Sequence, residues 1–387
     1  MPAPFFSAYC LLLTISMLIL VANLGSTSFK FKLLDMSKDG EEVARGGYER
    51  IGQPGSEYAS HADVIDVILS QLGKAPDAIG FKAVHGGPIS GAVRVTAEVI
   101  ATMEQFADIA PAHNPPYIAA MKAFAQKLPG TPQVAAFETA FHQTIPLARQ
   151  VYAIPSEWTE KLGIRRYGFH GASHKFIATR VAELVGKDKS RRIISCHLGG
   201  SSSICAIDGG RSVGQSMGLT PQTGIPQNNR VGDFDTFALL RLTKQGYSVE
   251  DILKKLGKEG GLLGISGVSN DMRDIEKAAA QGNAKAHLAI DAFVDSVRHY
   301  IGAYLVVLGG IDVLVFTGGI GENGAMIREK ICHNLRFAGL HLDENKNKIR
   351  GKEAKVSAVE SGAEIWIVPT NEEIVVARQT QAVLNAN

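Results

Sequence analysis

Short apolar runs alternate with longer stretches in which apolar residues recur every three or four positions, the pattern of strands interleaved with amphipathic helices. Residues 18–22 and 29–35 read as paired strands, followed by a polar loop over 37–60 and a helix over about 62–72. A strand over 79–84 ends in His85-Gly86-Gly87, helices cover 97–107 and 117–127, and a strand over 133–137 ends in Glu138. A second round begins near Tyr152 with the loop Tyr167-Gly168-Phe169-His170-Gly171, a helix over 173–185, and a strand pair over 192–196 and 203–208. A long helix over 284–308 then leads into a strand over 313–316 and Thr317-Gly318-Gly319-Ile320-Gly321-Glu322-Asn323. This alternation predicts α/β layers. The polar or glycine-rich strand ends are where open α/β sheets bind ligands. The last helix, from about Asn371, is expected to return to the first domain.

Two strand-turn-strand segments are alike: Val21-Ala22-Asn23-Leu24-Gly25-Ser26-Thr27-Ser28 and Ser195-Cys196-His197-Leu198-Gly199-Gly200-Ser201-Ser202. Each runs from an apolar strand through a polar side chain and Leu-Gly into small hydroxyl residues. Sharp turns of Gly, Ser and Thr leave backbone N–H groups uncovered beside hydroxyls, which suits phosphate oxygens and metal-bound water. Two of them predict a duplicated fold gripping one polyphosphate from both sides, with a boundary near residues 146–155.

The 387 residues, 45% of them hydrophobic and 20% charged, can bury the cores of two domains. A formal charge of +2 gives no broad basic field and argues against nucleic acid as a partner, so an anionic ligand must be held locally. Cys10, Cys196, Cys205 and Cys332 have no metal-like spacing and read as reduced structural thiols in a cytoplasmic protein. Residues 9–22 are almost wholly apolar, yet no Lys or Arg precedes Lys30, so neither a signal peptide nor a membrane anchor is expected. Met17 is the expected start, with residues 1–16 an extension.

Each motif has a bland reading beside the functional one. Gly319-Ile320-Gly321-Glu322-Asn323-Gly324 matches a dinucleotide fingerprint, with Asp343 about 20 residues on. The short remaining chain and the duplicated hydroxyl-rich turns favour contact with a nucleoside or ribose instead. Asn23 with Lys30 suits a transferred phosphoryl group and its Mg²⁺, or else is a hairpin with an Asx turn and an exposed lysine. His170 and His174 are spaced for a metal pair but lack a third ligand, which favours hydrogen bonding to substrate. His113 and His142 stand equally between ligand contact and core packing. Glu372 complements a helix dipole, and Thr370 with Glu373 forms an expected capping box.

Taken together, these residues resemble the acetokinase family, within the superfamily of acetate and sugar kinases, heat-shock chaperones and actin. The resemblance runs from about residue 18 to 380. It is carried in order by Asn23-Leu24-Gly25-Ser26-Thr27-Ser28, Val84-His85-Gly86-Gly87, Ala112-His113-Asn114-Pro115, and residues 137–146, 167–175, 196–203, 216–235, 261–274, 316–323 and 369–373. It implies a duplicated actin-like (ribonuclease H-like) α/β fold, two domains with a nucleotide cleft between them. The expected division is 17–147 completed by the helix 371–387, and 148–370 carrying the nucleotide site. It also implies a homodimer that uses ATP and Mg²⁺ to phosphorylate acetate or another short-chain carboxylate by direct in-line transfer. Asn23 and Glu372 would hold Mg²⁺, with Lys30 near the nucleotide phosphates. Glu138, His170 and Arg230 would be catalytic, and Lys82, Val84, Ala112, Phe169 and Pro221 would bind the carboxylate and its acyl chain. His197, Leu198, Gly199, Gly200 and Ser201 would meet the ATP phosphates. Asp271, Met272, Arg273, Gly319, Ile320, Gly321, Glu322 and Asn323 would meet the adenosine end.

Three positions in the charged and phosphate-binding machinery depart from the family pattern, and a fourth departs in the acyl pocket. Lys82 stands where an arginine is usual, so a planar fork becomes a point charge. Glu138 replaces an aspartate, and Gly200 an asparagine in the second turn. Ala112 replaces a leucine and leaves room for extra methylenes, each worth roughly 0.8 kcal/mol when buried. Two other readings stay open at this point: a catalytically altered nucleotide-binding protein or kinase of a different carboxylate, and an NAD-dependent oxidoreductase.

Overall fold

The computed structural model describes residues 17–111 and 113–386. The proposed extension 1–16, Cys10 and the acyl-pocket candidate Ala112 lie outside the described residues.

Two six-stranded mixed sheets organise the chain. The first is built from β1 (Leu18–Leu24), β2 (Ser28–Asp35), β3 (Glu41–Glu49), β4 (Ala78–Ala83), β5 (Ala92–Arg94) and β6 (Gln133–Phe137), in the order β3-β2-β1-β4-β6-β5. The second comprises β7 (Arg192–His197), β8 (Ser203–Asp208), β9 (Arg211–Gln215), β10 (Val313–Thr317), β11 (Ala354–Lys355) and β12 (Glu364–Ile367), in the order β11-β12-β10-β7-β8-β9. Read from opposite edges, the two orders are the same plan. Each has an antiparallel three-strand meander, then two strands parallel to its first strand, then a short antiparallel edge. This is the duplication that the paired turns predict, in the actin-like form that the resemblance implies.

The central strands β1, β4, β6 and β10 are buried nearly throughout, as parallel strands covered on both faces must be. The helix Glu372–Asn385 leaves β12 and packs Ile374, Val375, Val376 and Ala377 against Ile19, Val21 and Ala78 of the first sheet. Gly80 in β4 permits this approach, because a Cβ there would lie 2.4 Å from the Thr380 hydroxyl of that helix.

Most predicted elements appear within two or three residues of their expected ends, and the helix Ala284–Leu308 agrees at both ends. The polar loop over 37–60 needs correction, because it contains β3, which pairs with β2 along its length. That strand is an exposed, charged edge with two glycines, so no apolar alternation marks it. The expected capping box also gives way. Asn371, not Thr370, caps the last helix by accepting from the Ile374 N–H, and the Thr370 hydroxyl is buried without a partner.

Candidate active site

The carboxyl ends of β1, β4 and β6 bring three polar side chains to one place. Asn23 lies opposite Lys30 in the β1–β2 register, Lys82 is the fifth residue of β4, and Glu138 follows β6 directly. The Glu138 N–H donates to Ala83 O at 2.8 Å, and its carbonyl accepts from the Gly171 N–H at 2.9 Å. That contact seats the helix Gly171–Val185, whose N-cap is His170. Any Cβ at position 171 would lie 2.2 Å from the Glu138 carbonyl, so only glycine fits. His170 itself adopts φ 56° and ψ 33°, the left-handed region that a non-glycine residue occupies at a cost of about 1–3 kcal/mol.

These groups line a cavity of about 270 Å³ together with Leu24, Gly25, Ser28, Val84, His113, Tyr117, Phe169, Ser201, Pro221 and Arg230. Lys82 touches the Glu372 carboxylate and lies 4.0 Å from Glu138. Burial opposes the charge on Lys82, but the two carboxylates outweigh it and hold its pKa above the usual lysine value. Burial pushes Glu138 up to about 7 against the pull of Lys82, and both its oxygens are buried without a hydrogen-bond donor. Glu372 is also buried, yet Lys82 keeps its pKa below the ordinary carboxylate value. Arg230 donates to the Ser201 hydroxyl at 3.1 Å and to Gln227 Oε1 at 3.3 Å.

A second cavity, of about 560 Å³, is lined by Gly199, Gly200, Asn228, Asp271, Met272, Arg273, Glu276, Gly319, Ile320, Asn323, Gly324 and Arg350. The turn Gly199-Gly200-Ser201 contributes to both cavities. Asp271 caps the helix Met272–Ala280, and bonding to Arg273 lowers its carboxyl to about 2.

The structure therefore splits the sequence candidates into two groups. Asn23, Lys30, Lys82, Val84, Glu138, Phe169, His170, Ser201, Pro221 and Arg230 share the smaller cavity. Gly199, Gly200, Asp271, Met272, Arg273, Gly319, Ile320 and Asn323 share the larger. Five candidates line neither cavity, four of them because their groups are committed to scaffold. The Leu198 side chain is in the core, and its carbonyl accepts from Ile320 and Gly321. Gly321 is buried and its carbonyl accepts from Arg328 at 2.8 Å. Glu322 accepts from the Gly318 N–H at 2.9 Å. His197 stacks on His170 with centroids 4.3 Å apart, and its Nδ1 lies 2.8 Å from the Ser173 hydroxyl and 4.0 Å from Glu372. Glu372 likewise reaches the site only through Lys82.

His142 is a core histidine: its Nε2–H donates to Phe169 O at 2.9 Å, and Nδ1 lies 2.8 Å from Ser212 Oγ. The metal-pair reading of His170 and His174 fails, since serine hydroxyls hold Nδ1 of His170 and both ring nitrogens of His174. Among the described residues no group of three or more His, Cys, Asp or Glu is disposed to hold a metal. Asp343 accepts from the N–H groups of Asn345 and Lys346 and caps its own turn, so the dinucleotide fingerprint lacks its acidic partner. Asn228 lies inside the segment 216–235 but carries no chemistry that sets it apart there, and Glu276 and Arg350 have no motif around them, whereas the Pro-flanked start of the helix Asn114–Lys127 marks the neighbourhood of His113.

Comparison with known proteins fixes the family, since residues 18–378 match the Acetokinase family. This chain belongs to the acetokinase family. An acetate kinase of Dictyoglomus thermophilum is 44% identical over 95% of this chain and 99% of its own length. An acetate kinase of Clostridium novyi is 41% identical over 96% and 99%. The crystal structure of Porphyromonas gingivalis acetate kinase superposes with a TM-score of 0.88 at 39% identity, covering 95% of this chain and 100% of that one. A propionate kinase from Francisella tularensis gives a TM-score of 0.87 at 36% identity and the same coverage.

Proposed function

We propose that this member of the acetokinase family is a short-chain acyl kinase, transferring the γ-phosphoryl group of ATP directly to acetate or propionate to give ADP and an acyl phosphate. The observation that carries the reading is the sharing of one phosphate-type turn, Gly199-Gly200-Ser201, between a roomy glycine-lined cavity and a small charged one. In this reading the nucleotide occupies the larger cavity and its terminal phosphate meets the acceptor beside Ser201.

The chain's own groups then have distinct tasks. Arg230 and Lys82 orient the acceptor carboxylate, whose oxygen needs no general base because it is already ionised. Val84, Phe169 and Pro221 receive the acyl chain. His170 and Arg230 donate to the phosphoryl oxygens as charge shifts during transfer, a demand met by positioning rather than covalent chemistry. The Glu138 carboxylate and the Asn23 amide share the smaller cavity and, with Glu372 behind Lys82, would offer hard oxygen ligands that suit Mg²⁺. When bound, that ion would neutralise phosphate charge. Lys82 already occupies one side of Glu372, so metal binding at that carboxylate would compete with the ion pair.

We also propose a cytoplasmic homodimer. Cys196, Cys205 and Cys332 are free and buried, as a reducing compartment permits. Phe234, Phe237, Leu240, Val249 and Leu253 are exposed on one stretch of chain and supply an apolar face for self-association. Sedimentation should give a dimer that Phe237→Asp converts to monomer, and a monomeric parent would refute it.

The kinase reading is tested by trapping acyl phosphate with hydroxylamine from ATP, Mg²⁺ and acetate, propionate or butyrate. Arg230→Ala should lower turnover by about 10²–10³. ATP binding without product from any acid would favour a nucleotide-binding protein that has lost the chemistry.

A further inference from the structure

Behind His170 lies a line of buried polar groups that the proposed transfer does not use. Ser195 Oγ is 2.9 Å from His174 Nδ1, and His174 Nε2 is 2.8 Å from Ser203 Oγ. Ser203 Oγ is in turn 2.9 Å from His170 Nδ1. Ser195, His174 and Ser203 expose no surface. We infer that this Ser195–His174–Ser203 relay fixes the tautomer of His170, holding its single ring proton on Nε2 where it faces the transferring phosphoryl group.

The direction of the relay follows from its outer end. The Ser195 hydroxyl has His174 Nδ1 as its sole side-chain partner among the described residues. Donating there satisfies its proton, whereas accepting there would leave a hydroxyl hydrogen in a dry core, at a cost of about 1–3 kcal/mol. His174 Nδ1 is therefore the acceptor and its proton sits on Nε2, which donates to Ser203 Oγ. Ser203 has one proton and two imidazole neighbours, so it accepts from His174 and donates to His170 Nδ1. His170 is left with an Nε2–H. Burial lowers both histidines well below the usual imidazole pKa, which keeps them in the neutral form that the relay requires.

Among the described residues His170 Nε2 has no hydrogen-bond partner, and its ring lines the smaller cavity. A donor at that atom stabilises charge on phosphoryl oxygens, while the opposite tautomer would aim a lone pair at them. Ser195, His174 and Ser203 are accordingly positioning residues. The stacked His197 ring and the left-handed backbone of His170 restrict the same imidazole from other directions.

The significance of His170 rests on the kinase reading, but its tautomer can be observed without turnover. Long-range proton–nitrogen correlation on ¹⁵N-labelled protein, assigned with His170→Gln and His174→Gln, reports which ring nitrogen carries the proton. Both histidines should show a protonated Nε2 and a bare Nδ1. Ser195→Ala, three hydrogen bonds away from the cavity-lining His170, should give mixed tautomers at His174 and His170. Its kcat for acyl phosphate formation should fall about tenfold, a fraction of the loss expected for removing a donor outright, with KM values within about twofold. A protonated Nδ1 on His170 of the parent protein overturns the relay, and this result does not depend on any variant folding. A rate loss in Ser195→Ala with unchanged tautomers also overturns it. Absence of hydroxamate from the parent, with the expected spectrum, would overturn the kinase reading and leave the relay standing.

Discussion

Lys82 touches Glu372 and stands 4.0 Å from Glu138, so one ammonium answers two buried carboxylates. An ammonium is compact and lacks the rigid fork of a guanidinium, and Glu138 carries its charge about one methylene further than an aspartate would. Two of the departures noted in the sequence thus meet in one charge cluster. Removing its cation leaves like charges facing each other out of water, so Lys82→Ala should cost about 3–5 kcal/mol of stability. Urea unfolding checks this, and an unchanged midpoint would show that the carboxylates do not depend on Lys82. The family resemblance, not residue type, marks Lys82, Glu138 and Glu372 as site residues in the sequence. Their partnership was not legible, because it is created by strands and a helix from distant parts of the chain. Similarly, His170 stood out in its glycine-flanked loop, while the serines behind it looked like ordinary strand residues.

Elements were readable where they bury a face. The strands β1, β4, β6, β7 and β10 are apolar runs that end in polar or glycine stops, and the helix Ala284–Leu308 carries a sustained apolar stripe. Elements that bury little were not. β3 is mostly exposed, β5 has three residues and β11 two, so neither periodicity nor length distinguishes them from loops. The helix Asn114–Lys127 starts before its expected first residue because Pro115 and Pro116 occupy its first turn, where no backbone donor is lost. Proline there opens a helix instead of interrupting one. Both hydroxyl-rich turns were found because they join strands that bury strongly on either side. The loop carrying Arg350 has no such frame and gave no signal.

At the scale of the whole molecule, the repeated strand plan explains why the site lies where it does: equivalent strand ends of the two sheets supply the two cavities. The duplication was visible in two turns, but the way in which the halves are joined was carried by one helix. The chain passes from the first sheet to the second between β6 and β7, then sends the helix Glu372–Asn385 back onto the first. This makes the last helix a rivet. A protease that cuts the irregular stretch at residues 151–155 would sever the outward crossing, yet the later fragment would still own a piece of the earlier fragment's core through Ile374, Val375, Val376 and Ala377. The nicked protein should run as two bands on a denaturing gel and elute as one particle under native conditions, whereas separation on the native column would mean the helix does not hold the pieces. Covalent continuity and structural integrity are therefore separate properties of this chain, and a cut gene encoding the two pieces is expected to reassemble a whole.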